Sequence, residues 1–291
     1  MSLITSRKKF SRFWYFLAAL TAANIAVYVG LAEARPHDFA QFYTFDVGQG
    51  DAHYLRTIAG NDILIDGGPG DAVVSKLGRV MPLFDREIEV VFLTHPHADH
   101  ASGLLEVLRR YKVKRFVIAE VGYDSATYQT LLARLQEENV EIVRPKLGQR
   151  YFLDSSTVLD VLYPIAGKFD KAPKDVNQVS TVARISFGQS HILLTGDADK
   201  EIEEMLVAAQ VPLDAAILKV GHQGSSTSTG KGFLAAVEPK YGVISVGKNN
   251  YGHPHQETLD ALSQAGAEIL RTDERGDIGF RIYPDRIVLS R

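Results

Sequence analysis

The sequence predicts a layered α/β body over residues 36–291, preceded by one hydrophobic helix in an N-terminal segment over residues 1–35. Two observations predict the body. Residues 42–47, 53–57 and 62–66 are short β-rich runs separated by Gly-Gln-Gly-Asp and Ala-Gly-Asn turns, the pattern of an antiparallel meander. After them, apolar strand-like runs at 89–93, 115–118, 156–163, 182–187, 191–195, 215–220 and 241–245 are interleaved with helical patterns at 101–111, 125–138, 199–209, 231–237 and 256–265. Strands and helices that alternate this often imply stacked layers around one core. Residues 278–283 and 286–289, around Pro284-Asp285, read as a closing hairpin, and 166–177, rich in Lys, Pro, Asp and Gly, as the longest loop.

With 291 residues, 45% of them hydrophobic, the chain has ample material for a substantial core, and it carries no fixed-period repeat. It has no cysteine, which excludes disulfides, thiolate metal ligands and a cysteine nucleophile. Any metal must therefore sit on His, Asp, Glu or Asn.

The hydrophobic helix rests on residues 13–32, an uncharged stretch long enough at about 1.5 Å per residue to cross a hydrocarbon core of about 30 Å. Arg7, Lys8, Lys9 and Arg12 precede it, and such charge stays cytoplasmic, so the expectation is a membrane anchor with an extracytoplasmic body. Ala32-Glu33-Ala34 resembles a signal-peptidase site, which leaves open a secreted or periplasmic body after cleavage.

The chemistry is concentrated in Thr94-His95-Pro96-His97-Ala98-Asp99-His100, at the end of an apolar strand and before a helix. Three of the 9 histidines fall in this one short run, far denser than composition alone would give. Neutral imidazoles and a carboxylate are good ligands for Zn²⁺ or Mn²⁺, and alternate residues of an extended loop can converge on one ion. Two ions suit the cluster better, with His95 and His97 on the first and Asp99 and His100 on the second. Asp197 ends a strand at Thr-Gly-Asp, and His222 follows the strand 215–220 ahead of a Gly-Ser turn.

The cluster is similar to the signature of the metallo-β-lactamase superfamily. Phe45-Asp46-Val47-Gly48-Gln49-Gly50-Asp51-Ala52, Ile65-Asp66-Gly67-Gly68, Leu194-Thr195-Gly196-Asp197, Leu218-Lys219-Val220-Gly221-His222-Gln223-Gly224-Ser225 and Asn250-Tyr251-Gly252-His253-Pro254 resemble the hydrolase domain of ComEC-type DNA-uptake competence proteins, over roughly residues 40–283. The resemblance implies an αβ/βα four-layer sandwich and two divalent ions, Zn or Mn. Asp197 would bridge them, with His222 as the last ligand. Asp66 would orient a histidine ligand from behind, and His253 with Asn250 would grip substrate or protonate a leaving group. The sequence departs from the family in two places. Gln223 stands where a second histidine is common, and Asn177 and Ser180 lie in the region where many members supply a third histidine.

Two ions acidify bound water, so a metal-bound hydroxide positioned by Asp99 and Asp197 would need no side-chain nucleophile. The resemblance implies phosphodiesterase or nuclease chemistry on single-stranded DNA or a smaller phosphodiester. The spacing alone implies metal-assisted hydrolysis, which leaves a small-molecule ester, lactone or lactam hydrolase and a non-catalytic metal-stabilised binding module as alternatives. Beyond residue 34 the chain carries 28 basic against 34 acidic residues, so its whole charge does not attract DNA. A local patch remains, made of Lys168, Lys171 and Lys174 in the long loop with Lys219, Lys248 and Asn250 near strand ends. Nothing in the sequence identifies a protein partner.

Overall fold

The structure, a computed structural model, describes residues 3–33, 38–119, 121–164 and 175–290. His37, Ala34 of the expected cleavage site and Lys168, Lys171 and Lys174 of the proposed basic patch lie outside them.

The first half of the chain builds one sheet. Strands β1 (Ala40–Thr44), β2 (His53–Arg56) and β3 (Asp62–Ile65) form the expected antiparallel meander. Strands β4 (Glu87–Leu93), β5 (Lys112–Ile118) and β6 (Glu141–Val143) continue it in parallel. The second sheet repeats that plan. Antiparallel β7 (Arg150–Phe152), β8 (Thr157–Tyr163), β9 (Val182–Phe187) and β10 (Ser190–Leu194) pass into parallel β11 (Ile217–Lys219), β12 (Tyr241–Ile244) and β13 (Glu268–Arg271). The chain then returns to the first sheet as the hairpin β14 (Ile278–Ile282) and β15 (Ile287–Leu289), with β14 against β1. The sheet orders are β15-β14-β1-β2-β3-β4-β5-β6 and β13-β12-β11-β10-β9-β8-β7.

The packing follows from which faces are apolar. Phe42, Leu55 and Ile63 of the first sheet meet Leu159, Ile185 and Ile192 of the second in a shared core. The other face of the first sheet is covered by α2 (Ala72–Val80), α3 (Ala98–Arg110) and α4 (Ala126–Glu137) through Leu77, Leu104 and Leu131. The other face of the second is covered by α5 (Lys200–Ala208), α6 (Lys231–Val237) and α7 (Gln256–Gln264) through Ile202, Leu234 and Leu262. Helices, sheet, sheet and helices thus stack around apolar interiors, the arrangement expected of a sequence in which strand and helix periods alternate.

One expectation is corrected. Residues at the N-terminus do form a helix, α1 (Leu3–Glu33), but no helix among the described residues is long and apolar enough to cross a membrane. The membrane anchor, the hydrophobic spanning helix and the location inferred from them are therefore withdrawn. The physical reason lies in the make-up of the run. Thr21 and Asn24 turn their polar groups onto the carbonyls of Leu17 and Leu20, at 2.9 and 2.8 Å. Together with Trp14, Tyr15 and Tyr28 they lower the hydropathy of a segment that the absence of charge alone made look continuous.

Smaller differences concern boundaries. The helix expected from residue 101 begins at Ala98, which places Asp99 and His100 in its first turn. Helix α2 has no counterpart among the expected elements, because the Gly-Pro-Gly run before it reads as loop. Residues 176–179, which overlap the last two residues of the expected loop 166–177, form a 3-10 turn.

Candidate metal centre

The site residues leave the C-terminal ends of parallel strands, where open α/β sheets place their functional loops. β3 ends into Asp66, β4 into the histidine run, β10 into Thr195-Gly196-Asp197, and β11 into His222 and Gln223. The turn between β1 and β2 adds Asp51, whose backbone N–H donates to the carbonyl of Asp99 at 3.2 Å. Gly50 makes that approach possible, since a Cβ there would lie 2.1 Å from the Asp99 carbonyl oxygen.

The Asp197 carboxylate is the hub. Its Oδ2 atom lies 3.7 Å from His95 Nε2 and 3.6 Å from His222 Nε2. Its Oδ1 atom lies 3.4 Å from His100 Nε2 and 3.8 Å from Lys219 Nζ. His95 Nε2 and His97 Nδ1 are 3.0 Å apart, so both rings present nitrogen to one point. The ligand atoms of His95, His97 and Asp197 lie within 4.8 Å of one another, and so do those of Asp51, His100 and Asp197.

This donor set fits divalent ions. Burial holds His95 well below the usual imidazole range and lowers His97, so both are neutral near pH 7 and free to ligate. Burial opposes charge on His100 too, but Asp197 and Asp66 outweigh it and carry that ring well above the usual range. Burial likewise opposes charge on Asp197, yet His100, His95 and Lys219 keep its carboxyl ionised. His95, His97 and Asp197 would hold one ion and Asp51, His100 and Asp197 the other, with His222 beside Asp197 and Asp99 beside His100 at the edges of the two sets. Asp99 is one-third exposed, with Oδ2 3.8 Å from His100 Nε2.

The surrounding shell holds the ligands in place. Asp66 accepts from the backbone N–H and hydroxyl of Thr94, each at 2.8 Å, and its Oδ2 stands 2.8 Å from His100 Nδ1. Ser180 accepts from the backbone N–H of Asp197 at 3.1 Å, which fixes the Gly-Asp turn. Asn177 is buried one turn away and makes no contact with the centre through a hydrogen bond.

Lys219 differs from its expected place in an exposed patch. It is buried, pairs with Asp51 at 2.5 Å and donates to the carbonyl of Gly196 at 2.9 Å, so it neutralises carboxylates beneath the centre and offers nothing to a phosphate in solvent. Asn250 is exposed and Lys248 is exposed. The residue that shapes their loop is Asn249, which donates to the carbonyls of Gly247 and His253 and accepts from the N–H groups of Tyr251 and His253. His253 packs 5.4 Å from the His222 ring, and burial together with His222 and His255 lowers it to about 4. A cavity of about 500 Å³ lies between α5, α6 and α7 and contains none of these residues.

Sequence reasoning assigned no role to Asp51, Gln49 or Asn249. Asp51 had a signal in its flanking glycines and its turn between two β-runs, whereas Asn249 is indistinguishable from Asn250 without the fold.

Residues 45–248 match the metallo-beta-lactamase superfamily. Among curated proteins the chain is similar to ComE operon protein 3 of Bacillus subtilis, 34% identical over 69% of this chain and 25% of that protein. It is also similar to competence protein ComA of Neisseria gonorrhoeae, 30% identical over 85% and 33%, and to recombination protein 2 of Haemophilus influenzae, 26% identical over 86% and 30%. The chain thus spans a quarter to a third of the length of these relatives. Among solved structures, the metallo-beta-lactamase fold protein YhfI from Bacillus subtilis aligns with a TM-score of 0.51 at 13% identity, over 80% of this chain and 97% of that one. A diphosphatase from the PhnP family aligns with a TM-score of 0.50 at 15% identity, over 84% and 98%. The sheets, the divided carboxylate and these matches lead to one conclusion: the chain belongs to the metallo-β-lactamase superfamily, and its curated relatives are competence proteins of the ComEC type.

Proposed function

We propose that this protein is a metal-dependent phosphodiesterase whose substrate is single-stranded DNA or a smaller phosphodiester. The observation that carries the reading is Asp197, whose two oxygens face two different sets of nitrogen ligands, as a carboxylate shared between two ions must. Divalent ions held there supply Lewis-acid activation of water and neutralise charge on phosphoryl oxygens. The identity of the relatives favours a nucleic-acid substrate.

The chain's own residues supply the rest. Asp99, at the exposed mouth, and Asp197, beneath it, position the attacking water between them. His253, neutral at pH 7, grips a phosphate or sugar oxygen by hydrogen bonding, because a ring lowered to about 4 holds too few protons near neutrality to act as an acid. Its Nδ1 atom is buried and has no hydrogen-bond partner among the described residues. Asn250, exposed on the same loop, extends the contact.

The test offers the full chain labelled single-stranded DNA, duplex DNA and bis-p-nitrophenyl phosphate, with Mn²⁺ or Zn²⁺. Cleavage should require metal and should fall at least 100-fold in Asp197→Ala and His97→Ala, both of which should keep the fold. Turnover of a lactone or lactam with no cleavage of any phosphodiester would move the protein to the small-molecule class.

A further inference from the structure

We propose that the two halves of the centre are unequal, and that Gln223, latched by Gln49, makes them so: the half facing Asp197 Oδ2 binds a divalent ion tightly and the half facing Oδ1 binds one weakly. The inference rests on the metal-dependent reading above and concerns how this chain's own residues divide the site.

The Oδ2 half gathers His95, His97 and His222 around one carboxylate oxygen. Two imidazoles and this carboxylate offer three donors within 4.8 Å of one another for a single ion, with the His222 ring beside the same oxygen and no cationic side chain paired to it. His222 takes this place because the backbone at His222 and Gln223 is left-handed, with φ +48° and +49°. That turn sends the two successive side chains to the same carboxylate, His222 to Oδ2 at 3.6 Å and Gln223 to Oδ1 at 3.2 Å.

The Oδ1 half is already filled by donors. The Gln223 amide nitrogen lies 3.2 Å from both Asp197 Oδ1 and His100 Nε2. To act as a ligand, Gln223 would have to present its oxygen, and two further bonds oppose that turn. The backbone N–H of Gly247 donates to Gln49 Oε1 at 3.2 Å, and Gln49 Nε2 donates to Gln223 Oε1 at 3.3 Å. A backbone N–H cannot exchange donor for acceptor, so it sets the direction of both amides. Behind them the Lys219 ammonium stands 2.5 Å from Asp51 and 3.8 Å from Asp197 Oδ1. The carboxylates that would attract a second cation have been given one by the chain itself.

Isothermal titration of the metal-free full chain with Zn²⁺, and separately with Mn²⁺, tests the inference, with bound metal counted by elemental analysis after dialysis. The native chain should show one tight ion and a second bound at least 100-fold more weakly. Gln223→His should bring the second within about tenfold of the first. Gln49→Leu, which removes the latch without touching either half, should strengthen the second about tenfold and leave the first unchanged. Two ions of equal affinity in the native chain would overturn the proposal. So would a second affinity unmoved in the variants that fold. Absence of any metal binding would instead remove the metal-dependent reading itself.

Discussion

Asp66 stands 2.8 Å from Nδ1 of His100 and accepts both the backbone N–H and the hydroxyl of Thr94, so one carboxylate ties the end of β4 to the first turn of α3. It directs His100 Nε2 towards Asp197. Loss of such a partner costs metal ligands about 10- to 100-fold in affinity. Asp66→Asn should therefore weaken binding by that factor at the Oδ1 half and leave the fold intact, because asparagine tolerates the φ of +59° at this position. Titration calorimetry, with thermal unfolding as the control for folding, checks both outcomes.

Gly103 sets how closely α3 approaches the turn after β3. Its N–H donates to the carbonyl of Gly68 at 3.0 Å, and a Cβ at this position would meet the carbonyl oxygens of Gly67 and Gly70 at 1.9 and 2.6 Å. Backbone cannot yield as a flexible side chain would, so Gly103→Ala should cost about 1–3 kcal/mol or more of stability and displace Asp99 and His100 with the helix. Gly78 is the control. It is exposed near the end of α2 with nothing within 4 Å of its missing Cβ, so Gly78→Ala should raise stability by about 0.5–1 kcal/mol. Denaturant unfolding of the two variants separates crowding from propensity.

The ligands were legible in the sequence because each stands at a strand end inside a short motif. His95, His97, Asp99, His100, Asp197 and His222 needed only the end of an apolar run and its turn residues to be picked out. The division of labour among them was not legible. That His222 faces Oδ2 and Gln223 faces Oδ1 depends on two successive left-handed residues, and neither histidine nor glutamine announces that conformation as glycine does. Lys219 read as a strand-end cation because a single lysine in an apolar run carries no mark of its partner, and Asp51 lies far from it in sequence. The two sheets were legible as alternating periods, but the short strands β6, β7 and β13 and the helix α2 fell below what a local pattern resolves. At the N-terminus, an uncharged run is not by itself an apolar enough one among the described residues.

Protonation gives the two halves of the centre opposite pH behaviour. His95 and His97 are held below the usual imidazole range, mainly by burial, so near pH 7 they already lack the proton that a metal would displace. His100 is carried above that range by Asp197 and Asp66 against its burial, so it holds a proton that must leave before Nε2 can ligate. Affinity at the Oδ1 half should therefore rise with pH until His100 has titrated, a dependence to which His95 and His97 at the Oδ2 half add nothing near neutrality. Calorimetry in buffers of different ionisation enthalpy counts the protons, with His100 releasing about one to the weaker ion and His95 and His97 none to the tighter. The reverse assignment would show that the rings carry their protons differently.

Tyr251 is 71% exposed beside the centre, its ring 5.7 Å from that of His253, which in turn lies 5.4 Å from His222. Asn249 accepts the Tyr251 N–H at 3.0 Å and brackets the loop with bonds to Gly247 and His253, so the ring stands on a fixed backbone. The exposed ring face is open to stacking, and a base of a single strand is the planar group that the proposed substrate offers it. Stacking of a base on an aromatic ring is worth about 1–3 kcal/mol, which converts to roughly 5- to 150-fold in binding. Tyr251→Ala should raise KM for a single-stranded thymidine oligonucleotide within that range and leave kcat nearly unchanged, while Tyr251→Phe should behave as the native protein. An abasic strand of the same length supplies the phosphates without the bases, and on it the three proteins should be equal. A loss of kcat in Tyr251→Ala on both strands would instead make Tyr251 a support for His253, with no part in holding a base.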